Sequence, residues 1–223
     1  GVGWYRTEFD VPQFQAGKRA TILFDGAMSH ANVYINGQKV GYWPYGYNSF
    51  HFDITKYLKP GEKNTLAVRL ENLPESSRWY PGAGLYRNVH LIITEDAYIP
   101  VWGTYITTPS VNEKFAKVNV RTKVVLPEGA DPAKYSVETS VWNPNKQKLT
   151  AVRTSLAQMK YNNNQAEQEF VIQAPSLWSP EMPALYSAET RLYEGDKLKD
   201  IYTTPFGIRT IVAFNKNVDE QLA

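Results

Sequence analysis

Cysteine is absent from the 223 residues, which excludes a disulfide framework and any thiolate zinc site and leaves the redox compartment open. Histidine is scarce: His30, His51 and His90 are the only three, and none stands at the short pair spacing of a zinc-binding motif. Charge of one sign never accumulates. The net charge is +2 and no run of five like charges occurs, so neither a basic stripe for nucleic acid nor an acidic tail is expected. No apolar run approaches the roughly 20 residues that span a bilayer, and the opening residues do not read as a signal peptide. Helical periodicity is almost missing too, which leaves the period of two as the main signal.

That period begins at once. Trp4, Arg6, Glu8 and Asp10 alternate with Tyr5, Thr7, Phe9 and Val11 before Pro12 ends the run, the pattern of a strand. Residues 20 to 26, 66 to 70 and Leu85 to Thr94 read likewise, the last as a buried strand. ANVYI and KVGYW flank Asn36-Gly37, the strongest short-range signal for a type I′ hairpin. Between Asp53 and Pro60-Gly61 the aspartate or Thr55 is placed to cap a single helical turn. A new series of strands starts after Pro100: Trp102 to Thr108, Lys114 to Leu126, Tyr135 to Trp142, Leu149 to Gln158, Glu167 to Gln173, Tyr186 to Tyr193 and Leu198 to Thr204. Asn162 to Asn164 reads as a polar turn, and the proline-rich APSLWSPEMPALY as a crossover between sheets. Such regular spacing predicts an immunoglobulin-like sandwich for this half. Two halves of roughly 110 residues each suffice for two cores.

Few residues suggest chemistry. Ser29 and His30 are neighbours, yet adjacent strand residues face apart and no glycine elbow surrounds the serine, so a hydrolase triad is rejected. Gly82-Ala83-Gly84 lacks the lysine and following helix of a phosphate-binding loop. Glu95 and Asp96 would point to opposite faces of a strand, and Asp10, Asp25, Asp53 and Glu71 sit at strand ends or turns, where solvated or capping roles suit them. The aromatic residues are the richest feature. Tyr42, Trp43, Tyr45, Tyr47 and Phe50 share one segment, and Arg78, Trp79 and Tyr80 open a stiff loop, SRWYPGAGLYRNV, at 77 to 89. Aromatic faces pack against the C–H faces of sugars, but the same residues serve equally as core or seam. Trp142, Trp178 and Tyr186 are expected as core anchors of the second half.

Six strings carry a resemblance in order along the chain: GWYRTEF at 3 to 9, VYINGQKVG at 33 to 41, FDIT at 52 to 55, the loop at 77 to 89, LWSP at 177 to 180 with PALY at 183 to 186, and FGIRT at 206 to 210. Together they resemble glycoside hydrolase family 2, the β-galactosidases, β-glucuronidases and β-mannosidases, over nearly the whole chain. The resemblance implies an all-β fold of two β-sandwiches in tandem. Residues 1–97 would form a sugar-binding jelly roll of the galactose-binding type, 98–212 an immunoglobulin-like sandwich, and 213–223 the start of a linker to a catalytic barrel. In the family the jelly roll begins several tens of residues before GWYR, so an exposed sheet edge is expected here. Retaining hydrolysis needs two carboxyl groups about 5–5.5 Å apart. By resemblance these belong to a barrel after FGIRT, and thirteen residues follow Thr210. No catalytic residue, metal site or cofactor is therefore expected within the chain. Arg78, Trp79 and Tyr80 are expected at the rim of the sugar site, and Trp43, Tyr45 and Tyr47 in contact with sugar or barrel. At the place of Arg78 some members carry an acidic residue that reaches the sugar, whereas a guanidinium only donates and suits a carboxylate of the barrel or substrate. Stapling its own loop is the other role open to it. The expected partners are the barrel of the same polypeptide and carbohydrate, with no nucleic acid and no membrane, and self-association is left open. A free-standing carbohydrate-binding module is the alternative reading, and the compartment leans towards periplasm or secretion.

Overall fold

Alternating apolar and polar residues become antiparallel strands along almost the whole chain in a computed structural model, which describes residues 1–13, 17–75, 79, 82–158 and 165–211. Contacts divide it into two units, Gly1–Asp96 and Ala97–Ala223. Among the described residues both are built from β-sheets, apart from short 3-10 turns at Thr55–Tyr57, Pro132–Lys134 and Leu156–Gln158.

The first unit has strands β1 (Val2–Asp10), β2 (Arg19–Phe24), β3 (Ala31–Ile35), β4 (Gln38–Trp43), β5 (Phe50–Asp53), β6 (Lys63–Glu71) and β7 (Val89–Thr94). They form a four-stranded sheet in the order β1-β6-β3-β4 and a three-stranded sheet in the order β5-β2-β7. Inward-facing Ile22, Phe24, Val33, Ile35, Phe50 and Val68 fill the space between, all nearly or wholly buried. Phe24 stacks on Phe50 with ring centroids 4.8 Å apart. The β3–β4 hairpin turns at Asn36 and Gly37, both with positive φ (50° and 79°), the requirement of a type I′ turn. Asn36 has a second use. Its amide donates to Tyr57 O (2.9 Å) and to Asn64 Oδ1 (2.7 Å), and its Oδ1 accepts from Thr65 N–H (2.9 Å). Asn64, fully buried, in turn bonds Lys59 and Glu62 through backbone groups. Together the half-buried Asn36 and the buried Asn64 thus bond the polar backbone of three turns. At the 3-10 turn the cap position falls on Ile54, which offers no side-chain bond, while Asp53 Oδ1 accepts from Thr55 N–H at 2.9 Å.

The expected strand from Leu85 to Thr94 is shorter. It starts at Val89, because Gly84 is bridged to Met28 and the Tyr86 hydroxyl donates to Gly46 O (2.8 Å), which ties 84–88 down as a loop. As a sheet edge, β7 is also half exposed rather than buried. β1 is the other conspicuous edge: every residue but Phe9 is exposed, although β1 is paired with β6 along its whole length.

The second unit has seven strands among its described residues: β8 (Thr104–Val111), β9 (Phe115–Lys123), β10 (Tyr135–Trp142), β11 (Lys148–Ser155), β12 (Gln165–Gln173), β13 (Tyr186–Glu194) and β14 (Lys197–Phe206). They form sheets β12-β9-β8 and β11-β10-β13-β14. The fold is an immunoglobulin-like sandwich in which β11 pairs with β10, rather than joining the opposite sheet as in constant domains. Inward positions are mostly apolar, and Thr122, Thr139, Thr190 and Gln168 are buried polar residues among them. Thr139 and Thr190, both fully buried, face each other across β10 and β13 with hydroxyls 3.2 Å apart. Gln168, 4% exposed, occupies a core position of β12 between Ala166 and Phe170. Its amide reaches the other sheet and donates to Val137 O (3.2 Å), Val152 O (2.9 Å) and Thr154 Oγ1 (3.1 Å).

Of the expected core anchors, Tyr186 is buried (3% exposed), whereas Trp142 and Trp178 are half-buried. Trp142 follows Val141 on β10, which pairs with β13 without a shift, so alternation turns the tryptophan to the face away from the core that Val141 fills. Trp178 lies across Gly207, where a Cβ would stand 2.9 Å from the ring, and beneath the Arg209 guanidinium at 4.7 Å. Trp102, expected in a strand, sits in a turn with φ 56° and is 56% exposed. The polar turn expected at Asn162 to Asn164 lies outside the described residues.

Asp200 on β14 accepts from the N–H groups of Ile99 (2.8 Å) and Ile201 (2.9 Å). Burial raises its pKa above the ordinary carboxylate value, and the two backbone donors oppose the rise. A carboxyl whose folded pKa exceeds its unfolded one gains stability for the fold as pH falls through the folded value. Asp200→Asn cannot titrate. The melting temperature of the wild type should therefore rise relative to that of Asp200→Asn as pH is lowered from 7 towards 4, and scanning calorimetry of the pair at both pH values measures this. A constant or shrinking difference would contradict it.

Candidate functional site

Between β4 and β5 the loop 44–49 presents Tyr45 and Tyr47, with Trp43 and Phe50 at its two ends. Two contacts pin it. Gly46 is buried so closely under Met28 that a Cβ would stand 2.3 Å from the Met28 Sδ, and the Tyr86 hydroxyl holds its carbonyl. A glycine is required at 46 for the close approach. One is required at Gly84 for its φ of 115°, with the Tyr5 hydroxyl where a Cβ would project. His30 N–H donates to Pro44 O at 3.1 Å, fixing where the loop leaves β4.

On this frame the aromatics separate. Trp43 packs on the core, stacked on Phe50 at 5.6 Å, with its indole N–H donated to Asn48 Oδ1 at 3.0 Å. Tyr45 (56% exposed) and Tyr47 (42%) lie outside it, edge to face at 5.6 Å. Trp79, 62% exposed, donates its indole N–H to the Tyr47 hydroxyl at 2.8 Å, with ring centroids 6.4 Å apart. Tyr45, Tyr47 and Trp79 therefore form one open aromatic ledge assembled from two loops. Arg78 and Tyr80, expected beside Trp79, lie outside the described residues.

Polar groups flank the ledge. His30 Nδ1 and the Tyr42 hydroxyl are 2.6 Å apart, while the Ser29 hydroxyl donates to Glu71 O at 2.8 Å, so serine and histidine serve different partners. His90 Nε2 and Asp25 Oδ2 pair at 2.9 Å, and Arg87 donates to Asp25 O at 3.3 Å. Among the described residues no group of three His, Asp or Glu side chains could hold a metal ion. Asn48 and Tyr86, which hold Trp43 and Gly46, were not singled out in the sequence. Asparagine next to an aromatic run was the signal for the first, and nothing local marks the second.

An aromatic ledge with tyrosine hydroxyls at its margin suits the alternating C–H and O–H faces of a sugar. It is an open surface, so most atoms of a ligand resting on it stay in water.

Comparison with known proteins agrees with this chemistry. The family model for the sugar binding domain of glycosyl hydrolases family 2 matches residues 1–95, and a second family 2 model matches 98–209. The β-galactosidase BoGH2A of Bacteroides ovatus is 41% identical over 211 residues, covering 94% of this chain and 25% of that protein. A putative β-glucuronidase of Formosa agariphila is 38% identical, covering 95% of this chain and 20% of its own length. A crystal structure of a family 2 member from Bacteroides cellulosilyticus superposes with a TM-score of 0.84 at 33% identity over 95% of this chain and 29% of that one. The chain thus spans about a quarter of the relatives it matches. With both units matched by models of one family, in the order and at the lengths the two sandwiches have here, the chain belongs to glycoside hydrolase family 2.

Proposed function

We propose that the chain is the non-catalytic N-terminal region of a retaining β-glycosidase, closest in kind to a β-galactosidase, which braces a catalytic barrel supplied by the rest of the polypeptide and lends a loop to the rim of its sugar site. The observation that carries this reading is the aromatic ledge, in which the Trp79–Tyr47 hydrogen bond joins two separate loops into one surface. Coverage of about a quarter of each relative supports it, because relatives named as β-galactosidases and β-glucuronidases extend far beyond the matched region. Arg78, directly before Trp79, is assigned to a carboxylate of the barrel at that rim, and Tyr80 to the same edge. Trp43 backs the ledge from the core, while Tyr45 and Tyr47 face sugar or barrel.

The exposed ledge also favours the reading as a free-standing carbohydrate-binding module, and binding separates the two. An open surface gives the isolated chain a dissociation constant for galactose of about 1 mM or weaker, some 4 kcal/mol, and no hydrolysis of an aryl β-glycoside above background. In the full-length protein, Trp79→Ala and Arg78→Ala should each lower kcat/KM by roughly tenfold or more, while the melting temperature of the chain is kept. Micromolar binding by the isolated chain, with activity of the full-length variants unchanged, would establish the module instead.

A further inference from the structure

Asn36-Gly37 is the only Asn-Gly pair in the sequence, and it closes the β3–β4 hairpin with both residues at positive φ. The dipeptide carries a chemistry of its own. The Gly37 nitrogen can attack the Asn36 carboxamide carbon: a bond forms from that nitrogen to Cγ, its proton passes to solvent base, and Nδ2 takes up a proton and leaves as ammonia. Water then opens the resulting succinimide. Addition at Cγ gives aspartate, and addition at the main-chain carbonyl gives isoaspartate, in which the chain runs on through Cβ and Cγ. Glycine favours the attack because no Cβ shields its nitrogen, and nothing lies within 4 Å of where a Cβ of Gly37 would stand. Gly37 is also exposed, so water and base reach the turn.

The carboxamide is what the fold withholds. Its Nδ2 donates to Tyr57 O at 2.9 Å and Asn64 Oδ1 at 2.7 Å, its Oδ1 accepts from Thr65 N–H at 2.9 Å, and Asn36 N–H donates to Thr65 O at 2.9 Å. Departing ammonia must give up the first two bonds, and turning Cγ towards Gly37 breaks the third. The network cannot re-form around a rotated group, because Asn64 is fully buried with its Oδ1 accepting from Lys59 N–H (2.8 Å) and its Nδ2 donating to Lys59 O (3.0 Å) and Glu62 O (2.9 Å). That leaves only an acceptor facing Asn36. We propose that Asn36 is a deamidation site held closed by this network, so that the first unit is modified only when the hairpin opens and, once modified, no longer closes as before. The product meets the same groups. A carboxylate at 36 faces Tyr57 O and Asn64 Oδ1, two acceptors, with no proton for either, and isoaspartate adds a backbone atom to a two-residue turn. Opening and modification therefore reinforce each other.

Peptide mapping tests this on the whole chain. After incubation in warm neutral buffer the chain is digested with trypsin, and the peptide 20–39 is resolved into asparaginyl, aspartyl and isoaspartyl forms by chromatography and mass spectrometry. The same peptide incubated alone gives the unprotected rate. Fragmentation separates Asn36 from Asn32, and the gain in mass excludes isomerised Asp25. Four bonds must yield in the native chain, so Asn36 should deamidate at least about a hundredfold more slowly there than in the peptide. Across a urea series the rate should rise in step with the unfolded fraction of the first unit. Asn64→Ala, which removes one acceptor and frees the turns at Lys59 and Glu62, should raise the native rate at least about tenfold. Should that variant not fold, the urea series on the wild type still decides. Asn36→Asp, the product made directly, should let the amides of β3 and β6 exchange at least about tenfold faster, with those of β9 and β10 unchanged. A native rate within about tenfold of the peptide rate, or one that stays flat through the urea transition, overturns the closed site, as does a folded Asn64→Ala chain no faster than wild type. An Asn36→Asp chain as well protected as wild type overturns the claim that the modified hairpin no longer closes.

Discussion

Phe24→Ala is expected to destabilise the first unit by about 3–5 kcal/mol, a large share of the 5–15 kcal/mol typical of a domain. Phe24 is fully buried and lies parallel to Phe50, with rings 4.8 Å apart and only 10° between planes. Phe50 is covered by Trp43 at 5.6 Å and met at its edge by Phe52 at 5.8 Å. Removing Phe24 therefore leaves a void beneath a ring that the rest of the stack holds in place, so the cavity cannot collapse cheaply. Native-state hydrogen exchange reads each unit separately. At about 1.4 kcal/mol per tenfold change, amides of β2, β3 and β6 should exchange roughly a hundred- to a few-thousand-fold faster, while those of β9, β10 and β13 stay unchanged. A loss under about 1 kcal/mol would mean that the Phe50 stack re-forms over the gap.

Gln168→Glu tests the second unit through polarity at almost constant shape. The Gln168 amide donates to three acceptors across the sandwich, and a carboxylate in its place would face three oxygens with no proton to offer. The cost at pH 7 should reach about 3 kcal/mol or more, and it should depend on pH with a definite sign. Burial among acceptors raises the folded pKa of the new glutamate above its unfolded value. The variant is then closest to wild type at low pH, where the protonated carboxyl still donates one bond, and it loses stability as pH rises from about 4 through the folded value. Gln168→Met removes the donor without adding charge, so its deficit should be smaller and independent of pH. Chemical denaturation of all three proteins at pH 4 and pH 7 decides the matter. Equal losses at both pH values would show that solvent reaches the site.

The strands of the second unit were legible because β9, β12 and β13 alternate strictly and their turns carry proline, glycine or asparagine. The partner of β11 was not, since a sequence of alternating residues says which side faces inward but not which sheet receives it. Asn36-Gly37 announced its turn by local backbone preference, whereas the bond from Asn36 to Asn64 depends on residues that meet only after folding. Gln168 was not singled out in the sequence, because its acceptors on other strands meet it only after folding. At the ledge, residue type named Trp43, Tyr45, Tyr47 and Trp79 together. Alternation could not foresee that Trp43 would turn to Phe50 while its neighbours stayed in water, because that choice is made by Gly46 fitting under Met28 and by Tyr86 from a distant loop.

The pairing of β1 also sets a timetable for synthesis. β1 leaves the ribosome well before the strand it joins, since its partner β6 ends at Glu71, 61 residues after Asp10. At about 5–20 residues per second, Trp4, Tyr5 and Phe9 wait roughly 3–12 s with their hydrogen-bonding groups unmatched. The β3–β4 hairpin, closed within a few residues, forms in microseconds once made. Closing so long a loop is slow relative to such local pairings. The nascent chain should therefore carry a folded hairpin and an unattached aromatic strand at the same time, and a chaperone that holds short apolar segments would find β1 available throughout that interval.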